Sequence, residues 1–150
     1  MSERWQPRLV QRDEDIRRCH AVMRQLRPHL REAERFLARV REQMQAGYRL
    51  ACLEAPDGPV IAVAGFRTSE NLAWGRFLYV DDLVVDEAWR SAGHGGRMLE
   101  WLKRQAAAQG CAQLHLDSGV QRPDAHRFYQ REGLMLSSYH FQIALGPPRG

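Results

Sequence analysis

Cysteine is scarce in this chain, and long apolar runs are missing. The three cysteines among 150 residues are Cys19, Cys52 and Cys111. Their odd number and the lack of CxxC spacing exclude a disulfide framework and a cysteine-based zinc site. Each stands among apolar neighbours, so buried free thiols are expected, and with them a reducing, cytoplasmic setting. No apolar stretch nears the ~18 residues that span a membrane. The opening Met1-Ser2-Glu3-Arg4-Trp5 lacks the apolar centre of a signal peptide. Histidines and cysteines show no ligand spacing, so no metal is expected. There are no repeats and no linker, which points to one domain over residues 1–150.

What is present is the composition of a globular protein. Hydrophobic residues make up 44% of the chain, enough for a sizeable core at this length. The formal net charge is +4, with a pI near 9.3. Basic domains attract phosphate backbones, but no nucleic-acid-binding motif accompanies the charge. An anionic ligand and a solvated arginine-rich surface explain it better than a nucleic-acid partner.

Along the chain, Arg8-Leu9-Val10-Gln11 reads as a first strand. Asp13-Glu14-Asp15 places acidic residues at a helix start. Ile16, Cys19, Met23, Leu26 and Leu30 follow as an apolar helical stripe, and Pro28 ends or kinks it. Ala33, Phe36, Leu37, Val40 and Met44 form a second stripe that stops at Gly47. Two strands, 48–53 and 60–66, flank the turn Pro56-Asp57-Gly58 as a hairpin. A second turn at Ser69-Glu70-Asn71 leads into a long strand, 76–85. A helix after the glycine-rich segment carries Met98, Leu99, Trp101, Leu102 and Ala106, and ends at Gly110. Leu114 to Asp117 is a short strand, Pro123 opens a helix that Gly133 closes, and Tyr139, Phe141, Ile143 and Leu145 alternate as a last strand. The order is β-α-α-β-β-β-α-β-α-β. A helical crossover makes the strands on either side of it parallel, and the preceding meander is antiparallel. The fold class is therefore α/β (α+β), a mixed sheet covered by helices.

The segment Leu83 to Leu99 carries the chemistry. A strand runs into Asp86-Glu87-Ala88-Trp89-Arg90, then into Ser91-Ala92-Gly93-His94-Gly95-Gly96, which opens a helix. Helix starts leave backbone N–H groups unpaired and carry partial positive charge, so strand, glycine loop and helix start together cradle an anion, most often phosphate. The lysine and hydroxyl of a P-loop are missing. The third glycine of a dinucleotide loop is misplaced. Arg90-Ser91-Ala92-Gly93-His94-Gly95 fits a third pattern, [Q/R]-x-x-G-x-[G/A].

That pattern, with Ala125-His126-Arg127-Phe128-Tyr129-Gln130-Arg131-Glu132-Gly133-Leu134 downstream, resembles the GNAT superfamily of acetyl-CoA-dependent N-acetyltransferases. The resemblance covers residues 76–142 strongly and the first two helices in order only. It implies a mostly antiparallel sheet of about six to seven strands flanked by about four helices. It also implies acetyl-CoA as co-substrate, its pyrophosphate on the backbone of Arg90, Ser91, Ala92, Gly93, His94, Gly95 and Gly96. In the family the preceding strand bulges and splays from its neighbour. The backbone of Leu83, Val84 and Val85 then binds the pantetheine arm, and one N–H polarises the thioester carbonyl. Tyr129 matches the family tyrosine near the CoA sulfur, a general acid for the departing thiolate or a group that positions it. Arg122 stands where many members have asparagine; it can meet a CoA phosphate or line the acceptor cleft.

The base is open among several groups. Asp81 and Asp82 close the strand that leads to the pantetheine site, with side chains expected on opposite faces by alternation. Asp82 is favoured slightly. His126 and His140 are alternatives with pKa values nearer neutrality. Arg17, Arg18, Arg24, Arg27 and Arg31, with Trp74 and Tyr79, fall in the region that shapes the acceptor site in this family. The reading is direct acetyl transfer to a primary amine of unspecified identity, with no membrane or nucleic-acid partner. A homodimer through the last strands is common for this fold. The alternative is an inactive acyl-CoA-binding regulatory module, which needs the loop but neither Tyr129 nor a base.

Overall fold

Apolar residues three and four apart wind two helices early in the chain. In a computed structural model that describes residues 6–56 and 58–148, α1 spans Asp13–Leu26 and α2 spans Ala33–Met44. Asp13, Glu14 and Asp15 lie in the first turn of α1, where the helix dipole favours negative charge. Ile16, Cys19, Val22 and Met23 of α1 and Phe36, Leu37 and Val40 of α2 are buried. The pentapeptide Met1–Trp5 and Asp57 of the anticipated turn lie outside the described residues.

Among the described residues five strands pair in chain order: β1 Arg8–Val10, β2 Arg49–Glu54, β3 Val60–Asn71, β4 Gly75–Val85 and β5 Gln113–Leu116. β1 to β4 pair antiparallel in succession, and β5 runs parallel to β4. The connection between those two is α3, His94–Ala108, the helical crossover that a parallel pair requires. A fourth helix, α4, spans Pro123–Arg131. The mixed sheet and the helix order agree with the sequence reading; the strand count is lower.

Two corrections concern strands. Ser69, Glu70 and Asn71 are not a turn: they pair with Phe77, Arg76 and Gly75, and β3 runs on to Asn71. The reversal falls at 72–74, closed by the Asn71 Oδ1, which accepts the Trp74 N–H at 2.7 Å. Polar side chains suit a strand whose end stands in solvent, so composition misplaced the turn. The last strand, around Tyr139, Phe141, Ile143 and Leu145, is absent: residues 134–148 have no regular structure and those four side chains are exposed. Alternation marks a segment fit for a ladder, but a strand forms only where a partner supplies hydrogen bonds.

The two faces of the sheet are buried by different helices. Phe66, Leu78 and Val80 face α3, where the Phe66 ring meets Trp101 edge-on at 5.8 Å. Val10, Leu50, Cys52, Val63 and Val84 face α1 and α2 in one contiguous core. Cys19 and Cys52 are buried free thiols as expected, whereas Cys111 is only partly covered.

One irregularity shapes the α1 side. The β3–β4 register runs Gly65↔Asp82 and then Phe66↔Val80, so Asp81 is the extra residue of a β-bulge. Opposite it, Gly65 leaves room for Tyr48: a Cβ there would lie 1.8 Å from the Tyr48 Oη. The chain divides into two compact units between Leu116 and Asp117. The second holds α4, with Pro123 in its first turn, and the irregular segment after it. Among the described residues no helix is long and apolar enough to cross a membrane.

Replacing Gly65 with alanine is expected to destabilise the protein by about 1–3 kcal/mol, the range for overpacking a closed site. Urea unfolding measures it, and an unchanged midpoint would refute the close approach of Tyr48.

Candidate active site

The bulge at Asp81 sets the geometry of the site. Alternation along β4 breaks there, so the expectation that Asp81 and Asp82 face opposite sides does not hold. Both carboxylates meet one cluster. Asp82 Oδ1 accepts from Arg27 Nε at 2.9 Å, and its Oδ2 accepts from the Tyr48 hydroxyl at 2.9 Å. Asp81 takes the fork of Arg67, with the shortest contact from Nη2 at 2.7 Å. The Arg67 guanidinium in turn lies 5.5 Å from the Tyr48 ring centre. Arg27 also donates to the Asp81 carbonyl at 3.0 Å, which ties the end of α1 to the bulge. Burial and the adjacent Asp82 carboxylate hold the Tyr48 phenol well above its usual pKa, so it stays a donor. Tyr48, Arg67 and Gly65 were not singled out by sequence reasoning. The one available signal was Gly65, a glycine inside an otherwise apolar strand.

Beyond the bulge, β4 loses its neighbour. Pairing with β5 ends at Val80↔Leu116, while pairing with β3 continues to Val85↔Ala62. Residues 81–85 therefore have a strand on one side only among the described residues. Their alternate backbone groups on the other side are available to an extended ligand, as at any sheet edge. Leu83, Val84 and Val85 lie on this stretch. Val84 packs its side chain into the core, so packing and backbone exposure coexist at one residue.

The chain then enters a single 3-10 turn, Glu87–Trp89, capped by Asp86, whose Oδ1 accepts the Ala88 N–H at 3.0 Å. Arg90 reaches back to the Val85 carbonyl at 3.4 Å. Ser91 adopts φ +67° and Gly93 φ +84°. A left-handed non-glycine residue is uncommon and strained, and such residues gather at ligand-binding loops. Gly93 is the N-cap of α3 and offers no side-chain cap. The first N–H groups of the helix, those of His94, Gly95 and Gly96, thus face outward with the positive end of the dipole behind them. The residues fit a pyrophosphate by this cradle. His94 is 5% exposed. Its Nδ1 lies 3.1 Å from Arg97 Nη1 and its ring centre 6.0 Å from that of Trp89. Burial first, then the charge of Arg97, lowers its pKa from the usual 6.5. Both causes favour the neutral imidazole.

In the C-terminal unit, Arg122 is the N-cap of α4. Tyr129 lies about two helical turns on, half-buried, with its ring centre 5.3 Å from that of Phe128. Burial raises the Tyr129 pKa, and the charge of Arg122 acts in the opposite sense. His126 is engaged with the Gly119 carbonyl at 2.7 Å, and His140 lies 3.6 Å from Asp117. Of the arginines expected near the acceptor, Arg17 and Arg18 pair with Glu34 and Glu54, leaving Arg27 as the one joined to the bulge.

The class of protein, an acyltransferase, follows from the family match and from relatives that are N-acetyltransferases. The chain belongs to the acetyltransferase (GNAT) family, whose model matches residues 13–134. It is 29% identical over 130 residues to an uncharacterized N-acetyltransferase, YhdJ, of Bacillus subtilis, covering 86% of this chain and 91% of that protein. It is 31% identical over 99 residues to an aminoalkylphosphonate N-acetyltransferase of Salmonella typhimurium, covering 65% of this chain and 62% of that protein. Among solved structures, the aminoglycoside N-acetyltransferase AAC(6')-Iy in complex with CoA superposes with a TM-score of 0.81 at 16% identity, over 92% of each chain. The last likeness is one of fold.

The lowered pKa of His94 carries a sign. The unfolded chain binds its proton near pH 6.5 and the native state only at lower pH, so stability falls as pH drops from 6.5 through the native value. Chemical denaturation between pH 7.5 and about 5 measures it. The His94→Asn variant is expected to flatten that slope; an identical slope would remove the buried neutral histidine as its source.

Proposed function

We propose that this chain is a single-domain N-acetyltransferase, residues 1–150, that moves the acetyl group of acetyl-CoA to a primary amine by direct attack within a ternary complex. The observation that carries the reading is the open edge of β4 leading straight into the uncapped start of α3, in a chain of this family. The relatives whose names state an acceptor carry an amine in each case, an aminoalkylphosphonate and an aminoglycoside, which supports an amine here. The free thiols suit a cytoplasmic setting.

The residues take the following roles. Backbone N–H groups from Arg90 to Gly96 hold the pyrophosphate, with the dipole of α3 behind them. Arg122 contacts a phosphate of CoA. The backbone of Leu83, Val84 and Val85 aligns the pantetheine arm as an added strand and directs an N–H at the acyl carbonyl. The thioester supplies an acyl group activated toward amines.

Proton handling falls to Tyr129 and the two aspartates. A buried phenol is protonated at neutral pH and can donate to the departing thiolate, and the Arg122 charge steadies the phenolate left behind. Asp81 and Asp82 draw the ammonium form of the acceptor to the bulge and receive its proton through water. Arg27 and Tyr48 fix Asp82 for that task, with both of its oxygens engaged.

The Tyr129→Phe variant is expected to lower kcat by about a hundredfold, the lower end for loss of a general acid, while the Kd for acetyl-CoA stays within about twofold. Free-thiol release and calorimetry give the two numbers; an unchanged kcat would remove the acid role. Acetyl-CoA at a hundred times its Kd is expected to stabilise the fold by about 2.7 kcal/mol. The absence of any melting shift would overturn the proposal as a whole.

A further inference from the structure

Three successive backbone N–H groups, those of Glu87, Ala88 and Trp89, lie between the open edge of β4 and the glycine-rich start of α3. Two of them close within the turn. Ala88 donates to the Asp86 Oδ1 at 3.0 Å, and Trp89 donates to the Asp86 carbonyl at 2.8 Å. The third, Glu87, donates to the Oε1 of Gln25 at 2.9 Å. The Nε2 of the same carboxamide donates to the Asp86 Oδ1 at 3.2 Å. Gln25 thus meets two neighbouring groups of opposite polarity, a fit for a side chain that donates and accepts without carrying charge.

The helix that bears Gln25 does not need it. α1 closes its last turn through the backbone, where the Arg27 N–H donates to the Met23 carbonyl at 2.9 Å. The Gln25 side chain is exposed and reaches a turn 62 positions away in the chain. Among the described residues, it is the one side chain of another element that hydrogen-bonds residues 87–93. β3 holds the chain only as far as Asp86, whose N–H donates to the Ile61 carbonyl at 2.8 Å. Two residues after Gln25, Arg27 donates to the Asp82 carboxylate and the Asp81 carbonyl. The end of α1 therefore ties down both ends of the open stretch, the bulge through Arg27 and the turn through Gln25.

The turn sets an offset. Residues 83–85 offer backbone groups to the pantetheine arm and residues 90–96 offer theirs to the pyrophosphate, two parts of one ligand. The step between the two stretches must match the length of that ligand. Exposed hydrogen bonds add little to global stability, because water replaces them. Losing these two loosens the turn and leaves the core intact.

We propose that Gln25 is a positioning residue of the donor site. Its carboxamide fixes the 86–89 turn, and through it the register between the open edge of β4 and the start of α3. This rests on the acetyl-transfer reading above and adds to it a residue that touches neither the ligand nor the reacting atoms.

The test is calorimetry of acetyl-CoA on the full chain, with thermal melting of each unliganded variant. Gln25→Met keeps the length and helix propensity of the side chain and removes both bonds. It is expected to raise the Kd about tenfold, with the melting temperature within about 3 °C of wild type. Gln25→Glu still accepts from Glu87 but sets a second carboxylate against Asp86, and is expected to bind acetyl-CoA more weakly than Gln25→Met. Adding Asp86→Asn keeps a capping oxygen and offers a donor to the new carboxylate. The double variant is expected to bind about tenfold more tightly than Gln25→Glu alone, whereas independent sites would add their losses. An affinity unchanged in Gln25→Met overturns the inference. So does a double variant no better than Gln25→Glu, or an affinity loss that comes with a melting temperature lowered by more than about 5 °C. If the wild-type chain does not bind acetyl-CoA, the acetyl-transfer reading falls and this inference with it. If the wild type binds and the Gln25 variants bind equally well, only the role of Gln25 falls.

Discussion

The contact on which the rest depends is the one made by the Asp82 carboxylate with the Arg27 guanidinium and the Tyr48 phenol. It joins the end of α1, the start of β2 and the middle of β4 at one point. A carboxylate at 14% side-chain exposure needs such partners, because an unpaired charge at that depth is costly. Satisfying it requires the phenol to reach across β3, and Gly65 provides the gap. The bulge at Asp81 lies next to it. It turns a second carboxylate toward the cluster and ends the regular course of β4 where its pairing with β5 stops.

From that point β4 leads two ways. One direction along β4 leads through the open edge of Leu83, Val84 and Val85 to the strained loop and the start of α3. There the outward-facing polar groups are backbone N–H donors, and the Trp89 and His94 rings stand 6.0 Å apart beside them. The other direction leads to Tyr79, Phe77, Trp74 and His115, where side chains present rings and the backbone is committed to the ladder. The open backbone edge and the ring-bearing stretch of β4 are therefore separated by a bulge.

Much of this was legible in the chain. The two early helices announce themselves by apolar stripes and by the acidic turn at Asp13. The crossover helix and the parallel pair around it follow from order alone. The anion cradle follows from Arg90, Gly93 and Gly95, since backbone conformation there depends on residue type. Less legible were the end of β3, where Ser69, Glu70 and Asn71 look like a turn yet extend a solvent-facing ladder, and the segment at Tyr139 to Leu145, whose alternation found no partner. Trp74 and Tyr79 were assigned to the acceptor region, with no sign that Trp74 stacks on His115.

The sequence by itself determined the helices, the family and the glycine-rich start of α3. Each of these is carried by residues close together in the chain, or by motifs in a fixed order. Only the tertiary structure decided which faces Asp81 and Asp82 occupy, that Tyr48, Arg27 and Arg67 neutralise and fix them, and that Trp74 lies on His115. Those contacts join residues 14 to 55 positions apart. A bulge of one residue reverses strand parity without a mark in the local pattern, so no reading of neighbours along the chain contains it.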